Sequence, residues 1–297
     1  MSKITLLDGG MGQELTHRAP EDPTPLWATQ VMLDHPGMVQ VIHQDYFDAG
    51  ATVATTNTYA IHRDRFIGTG LEGQFEDLHS CALAEAQAAT KGRSGVRIAG
   101  SIGPLAASYR PELHPPHDEA VAGYAEIARI LGPSVDFIIC ETVASLPHAR
   151  TVLEGAKTAG KPVWLSVTVD DEDGTKLRSG EAVAEVCAIA ANGAAAVLAN
   201  CSAPEVMTAA LKALSQCGLP YGAYANGFEQ ITKEFLTNKP TVDALSARRD
   251  LGPEAYAKYA LGWIEQGATI VGGCCEVGPA HITELARVLK AAGHQIL

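Results

Sequence analysis

Short apolar runs alternate with longer amphipathic segments along nearly the whole of this 297-residue chain. That alternation restricts it to folds in which parallel strands are joined by helical crossovers. Apolar or β-branched runs occupy residues 4–8, 51–56, 97–101, 137–141, 163–169, 195–200, 221–225 and 268–272. Helical patterns fill 36–50, 70–91, 118–132, 145–160, 181–192, 204–217, 253–267 and 279–292. Several open on proline and close on glycine, the usual asymmetry of helix ends. Eight strand–helix units in somewhat over about 250 residues make one (β/α)8 TIM barrel. The expectation is therefore a single α/β domain over 1–297, with the active site at the C-terminal face of the strands. A doubly wound open sheet would have fewer strands and a glycine-rich dinucleotide fingerprint, which is not found. Two connections, 16–34 and 228–251, are too long for simple turns. Both follow strand C-termini and are predicted to be loops over that face.

Composition narrows the partners. A formal net charge of -12 argues against nucleic acid or an anionic membrane surface, both of which need basic protein surface. No apolar stretch is long enough to span a bilayer, and Met1-Ser2-Lys3 leads into a strand rather than a signal peptide. A cytoplasmic protein is expected, with its seven cysteines as reduced thiols. A homo-oligomer is compatible with this composition, which does not decide the oligomeric state.

The residues expected at strand C-termini are selective. They include Asp8-Gly9-Gly10, Thr56-Asn57-Thr58-Tyr59, Glu141-Thr142, Asn200-Cys201-Ser202 and Gly272-Gly273-Cys274-Cys275. Adjacent cysteines in a strand point to opposite faces, so Cys274 and Cys275 can meet at one point only if the backbone leaves strand geometry. Gly272 and Gly273 are expected to supply the dihedral freedom. With Cys201 they would form a three-thiolate zinc site with one open position, the catalytic pattern rather than the structural one. Buried packing and a redox pair are the competing readings of the same cysteines. Cys81, Cys187 and Cys217 fall in helical patterns, and Cys140 lies within an apolar strand.

Asp8 and Glu141 can be read as a general acid–base pair, as caps or ion-pair partners, or as a receptor for a substrate ammonium. Gly9 and Gly10 could offer backbone N–H groups to a carboxylate. Trp27, Tyr59, Tyr109, Tyr224 and Phe228 fall near the same face, where rings can pack against loops or hold an onium group. No histidine is assigned as a ligand. An aldolase-type barrel would want a lysine at a strand end, and there is none.

Leu6-Leu7-Asp8-Gly9-Gly10-Met11-Gly12, Thr55-Thr56-Asn57-Thr58-Tyr59, Asn200-Cys201-Ser202 and Gly272-Gly273-Cys274-Cys275 resemble the blocks of the homocysteine S-methyltransferase family. Pro25-Leu26-Trp27, Glu141-Thr142 and Tyr224-Ala225-Asn226-Gly227 follow in matching order. The resemblance implies a zinc-dependent barrel with Cys201, Cys274 and Cys275 as catalytic metal ligands. It implies that Asp8 and Glu141 hold the amino group of homocysteine, with Gly9, Gly10 and Thr56 near its carboxylate; Asn57 and Asn200 complete the expected substrate contacts. The implied reaction moves a methyl group from a small onium donor to homocysteine, giving methionine. Leu297 falls shortly after the last helix, without the long extension of betaine-using relatives. This favours S-methylmethionine or S-adenosylmethionine over betaine or another onium methyl donor such as a dimethylsulfonio compound. Residues 60–65 depart from the small, polar sequence expected in S-methylmethionine enzymes. A non-catalytic zinc- or thiol-sensing barrel is the alternative, and the presence of both Asp8 and Glu141 weighs against it.

Overall fold

The computed structural model describes residues 2–22, 24–229 and 246–297. Eight strands coincide with the expected runs: β1 (Lys3–Leu6), β2 (Val53–Thr55), β3 (Arg97–Ile102), β4 (Phe137–Val143), β5 (Val163–Val167), β6 (Ala194–Asn200), β7 (Tyr221–Tyr224) and β8 (Ile270–Val271). All pairings are parallel, in one curled sheet of order β2-β3-β4-β5-β6-β7-β8-β1-β9.

Period-two alternation divides the sheet's side chains between two apolar clusters. Ile138, Cys140, Val197 and Ala199 point towards the helical layer. Their neighbours Phe137, Ile139, Ala196 and Leu198 join Leu7, Val53, Ala99, Trp164, Tyr224 and Ile270 in a second cluster, to which all eight predicted strand runs contribute. Cys274 packs against that inner cluster. The concave interior is therefore filled with side chains, and the chemistry is confined to its C-terminal rim.

The ninth strand, β9 (Gln295–Ile296), was not expected. The N–H groups of Gln295 and Leu297 donate to the carbonyls of Ser2, just before β1, and Ile4, at 3.0 and 2.9 Å. The next acceptor along β1, Leu6 O, takes the Thr52 N–H at 2.8 Å, just before β2. A two-residue tail with no periodicity carries no strand signal; it pairs because β1 has carbonyls to offer.

The stretch 16–34 is not simply a loop. It contains the end of the helix Met11–Arg18 and the helix Ala28–Asp34. Of the second long connection, 228–251, residues 230–245 lie outside the described residues. The expectation that all cysteines are reduced is corrected: Cys187 and Cys217 form a disulfide, with Cα atoms 4.6 Å apart. Cys187 sits on the helix Val186–Ala190, and Cys217 ends the turn after the helix Met207–Leu214. The two meet in the outer helical layer, a proximity that their separation of 30 residues did not reveal. Among the described residues, no helix is long and apolar enough to cross a membrane.

Tyr256, fully buried on the helix Pro253–Glu265, connects this frame to the rim. Its hydroxyl accepts from the Ala225 N–H at 3.0 Å and donates to Gly272 O at 2.7 Å, with Ala225 O at 3.1 Å as the alternative acceptor. One side chain thus pins the ends of β7 and β8 beneath Cys274. Replacing Tyr256 by Phe leaves these groups short of a partner, so we expect a loss of about 1–3 kcal/mol, read by denaturant unfolding.

Candidate active site

The loops after the strands enclose a cavity of about 470 Å³. Every site residue expected from the sequence lines it: Asp8, Gly9, Gly10, Thr56, Asn57, Glu141, Asn200, Cys201, Cys274 and Cys275. So do all five aromatic residues, Trp27, Tyr59, Tyr109, Tyr224 and Phe228. Among the described lining residues there is no lysine and no histidine.

Cys201 immediately follows β6, and Cys274 and Cys275 follow β8. Their three Sγ atoms lie within 4.8 Å of one another, with Cys201 Sγ and Cys275 Sγ 3.8 Å apart. Thiolates about 2.3 Å from a tetrahedral zinc ion are separated by about 3.8 Å. The donor set and spacing therefore fit zinc with one position left for another ligand.

The reason for the glycines differs from the expected one. Neither Gly272 nor Gly273 has a positive φ. A Cβ on Gly273 would lie 2.1 Å from Val277 Cγ1, and one on Gly9 would lie 1.9 Å from Val277 O. These positions need the absence of a side chain because two loops pass almost in contact. The left-handed dihedrals fall on Cys201 (φ 51°) and Glu276 (φ 63°) instead. Trp27, Ala106, Tyr109 and Thr142 complete the set of positive-φ non-glycine residues among those described. Five of these six line the cavity, a concentration of strain typical of sites whose geometry is fixed by their surroundings.

Asp8, just beyond β1, and Glu141, within β4, are both buried. Asp8 accepts from the Thr55 N–H at 2.6 Å and the Thr55 hydroxyl at 2.7 Å. Burial outweighs these bonds and pushes its pKa up to about 6. Glu141 accepts from the Ser101 hydroxyl, and from the Tyr224 hydroxyl at 3.0 Å. Burial again dominates, assisted by the charges of Asp8 and Cys201, and raises it to about 7. Two carboxyls short of charge compensation in one pocket make a receptor for a cation.

The sequence put Tyr109 near this face only as one of five rings and did not reveal that its hydroxyl touches a sulfur. The Tyr109 hydroxyl donates to Cys201 Sγ at 2.9 Å. Arg178 lies over the Tyr109 ring, 5.2 Å from its centroid, and is itself held by both oxygens of Asp171 at 2.8 and 2.9 Å. Hydrogen bonds from Cys274, Cys275 and Tyr109 favour the thiolate of Cys201. The only sequence signal was the presence of a tyrosine in a loop after β3.

Several residues expected to touch substrate are engaged within the protein. The Gly10 N–H donates to Val277 O at 3.1 Å. The Thr56 hydroxyl bonds Thr58 and accepts from the Ser101 N–H. Asn57 donates to Ala28 O at 3.2 Å and so ties β2 to the loop carrying Trp27. Asn200 accepts from the Thr142 N–H and the Ser166 hydroxyl and donates to the Thr142 hydroxyl. It locks together the residues that follow Glu141 and precede Cys201.

Comparison with known proteins agrees with this geometry. The family model for homocysteine S-methyltransferase matches residues 5–289. The homocysteine S-methyltransferase of Escherichia coli K12 is 31% identical, over 95% of this chain and 94% of its own. Homocysteine S-methyltransferase YbgG of Bacillus subtilis is 26% identical over 95% and 93%. The metallated crystal structure of the E. coli homocysteine methyltransferase MmuM superposes with a TM-score of 0.80 at 27% identity, covering 97% of this chain and 96% of that one. Three thiols converging beside two buried carboxyls, a match along almost the whole chain and a shared fold place this protein in the homocysteine S-methyltransferase family.

Proposed function

We propose that this enzyme transfers a methyl group from an onium donor, S-methylmethionine or S-adenosylmethionine, to the thiol of homocysteine, with zinc held by Cys201, Cys274 and Cys275. The observation that carries the reading is the convergence of three thiols and two buried carboxyls on one cavity. The curled sheet is then a closed (β/α)8 barrel spanning 1–297, its β1–β2 seam bridged by Thr52 and Leu6.

In this reading Asp8 and Glu141 clasp the ammonium of homocysteine from two sides. Its carboxylate lies against the turn at Gly9 and Gly10 and beside Thr56. A free thiol has a pKa near about 8.5, so only a small fraction is nucleophilic at neutral pH. Zinc at the three cysteines would supply an open position at which an incoming thiol is deprotonated. Three anionic ligands leave such a site electron-rich, and Tyr109 restrains the sulfur of Cys201. The rings of Trp27 and Tyr59, in edge contact with centroids 6.5 Å apart, offer faces to an onium group. An onium donor leaves as a neutral molecule, so the reaction needs no general acid. That is consistent with a described lining free of histidine and lysine.

The decisive test measures zinc content and methionine formation from homocysteine against a panel of donors. We expect about one zinc per chain and turnover with a sulfonium. The Cys201→Ala variant should lose both. A Cys201→Ala protein with full zinc and full rate would refute the assignment.

The carboxyl pKa shifts give a second test. The folded pKa of Asp8 lies above the unfolded value of 3.8, so the native state binds the proton more tightly. Its stabilising contribution is present below about pH 4 and is lost as pH rises through about 6. Asparagine at this position can accept from the Thr55 N–H and donate to the Thr55 hydroxyl without carrying charge. We expect Asp8→Asn to be more stable than the wild type above pH 6, by on the order of 2–3 kcal/mol, while its KM for homocysteine rises at least about 100-fold through loss of a charged partner. Thermal unfolding at pH 5 and pH 8, together with the KM, checks both. Equal stability at both pH values would show that burial does not penalise this carboxylate.

A further inference from the structure

Cys201 stands in the left-handed region (φ 51°), which a residue with a side chain keeps only where its surroundings hold it. Two loops with no thiol of their own do the holding. The chain after β5 doubles back as a hairpin, with Val169 opposite Leu177 and Lys176 opposite Ala182 in antiparallel bridges. Val169 and Leu177 are fully buried and seat it. Its outgoing side grips the backbone around Cys201. The Thr168 hydroxyl donates to Cys201 O at 3.3 Å, the Val169 N–H donates to the Ser202 hydroxyl at 2.9 Å, and Asp171 accepts from the Ala203 N–H at 2.9 Å. The returning side carries Arg178, whose Nε donates to the Thr168 hydroxyl at 3.3 Å and whose Nη1 and Nη2 donate to the two oxygens of Asp171.

Arg178 and Asp171 are only 12 and 18% exposed, and a bidentate pair so placed has one geometry. The guanidinium it fixes lies over the ring of Tyr109, and the buried Tyr109 hydroxyl donates to Cys201 Sγ. Thr168, Asp171 and Arg178 do not line the cavity, so they act on the site only through Tyr109 and Cys201. Paired, the arginine and the aspartate bring no net charge to the thiols; what they supply is placement. We propose that the Asp171–Arg178 pair is a positioning device for the zinc ligand Cys201, fixing the Tyr109 ring so that its hydroxyl stays on the sulfur, and holding through Asp171 the strand end that carries it. The proposal rests on the zinc reading above. A hydrogen bond to one lone pair of the sulfur gives it one orientation, and partners of this kind contribute about 10- to 100-fold to metal affinity. The same bond lowers the energy of the sulfur electrons, so its loss changes the spectrum of a metal bound there.

Two measurements on the reduced full-length protein test this: zinc affinity in competition with a chromophoric chelator, and the absorption spectrum of the cobalt(II)-loaded form. Tyr109→Phe and Arg178→Gln should each bind zinc at least about 10-fold more weakly. Arg178→Lys should recover part of that loss, since lysine keeps the charge without the fork. In Tyr109→Phe the sulfur-to-cobalt charge-transfer band should move to longer wavelength. The double variant should show the same band as Tyr109→Phe alone, because Arg178 reaches the sulfur through the ring. A pair that merely stabilised the fold would lower the melting temperature and leave the band in place. Lys176→Gln, which breaks the exposed Lys176–Asp173 pair on the same hairpin, should change neither readout. Wild-type zinc affinity in Arg178→Gln overturns the proposal, as does an unshifted band in Tyr109→Phe or an equal loss of affinity in Lys176→Gln. Should Arg178→Gln fail to fold, Tyr109→Phe and Arg178→Lys decide by the same two readouts. A wild-type protein that binds no zinc overturns the zinc reading itself, and shows this before any variant is compared.

Discussion

The loop after β8 is stitched through its backbone to the loops on either side, and the positions of the thiols depend on that stitching. Gly273 N–H donates to Asp8 O and Cys274 N–H to Ala225 O, at 2.9 and 3.0 Å. Gly227 N–H donates to Cys275 O, and Gly10 N–H to Val277 O, at 2.8 and 3.1 Å. The carbonyl or amide of nearly every residue from 273 to 277 is thereby used to hold a neighbouring strand end. Such packing leaves no room for side chains where the loops cross, so Gly9 and Gly273 are needed for space. It also couples the three thiols to the buried carboxyls, since Asp8 supplies a backbone carbonyl to the cysteine loop and a side chain to the pocket.

A site assembled this way is strained in its backbone and uncompensated in its charges. Left-handed conformations at Trp27, Tyr109, Thr142 and Cys201 each cost on the order of 1 kcal/mol or more, and the raised carboxyls of Asp8 and Glu141 add to that. The buried apolar layers on both faces of the sheet absorb these costs. Bound substrates would relieve part of them: an ammonium between Asp8 and Glu141 restores the charge balance that burial denies.

The sequence disclosed most of this architecture where the signal was local and repeated. All eight strands lie within or overlap the predicted runs, because each is a short apolar stretch closed by turn residues. The three thiols were legible because Gly-Gly-Cys-Cys and Asn-Cys are unusual at strand ends. What was not legible depended on three-dimensional pairing. Tyr109 and Cys201 are 92 residues apart, and nothing in either neighbourhood announces the bond between them. Cys187 and Cys217 meet only because two helices lie side by side in the outer layer. Asn57 and Asn200 looked like substrate contacts, yet their amides are used within the protein. A polar side chain at a strand end serves either purpose, and composition does not separate them.

The departure at residues 60–65 acquires meaning at the same level. By sequence it was an irregularity, a charged stretch where small residues were expected. In the fold, Arg63 pairs with Glu126 on the outer side, while Asp64 and Arg65 both line the cavity, with Asp64 accepting from the Ala106 N–H. The short helix Arg63–Phe66 is seated by the fully buried Phe66. A stretch that looked irregular in sequence is thus a braced part of the cavity wall, held by charges on one side and by packing on the other.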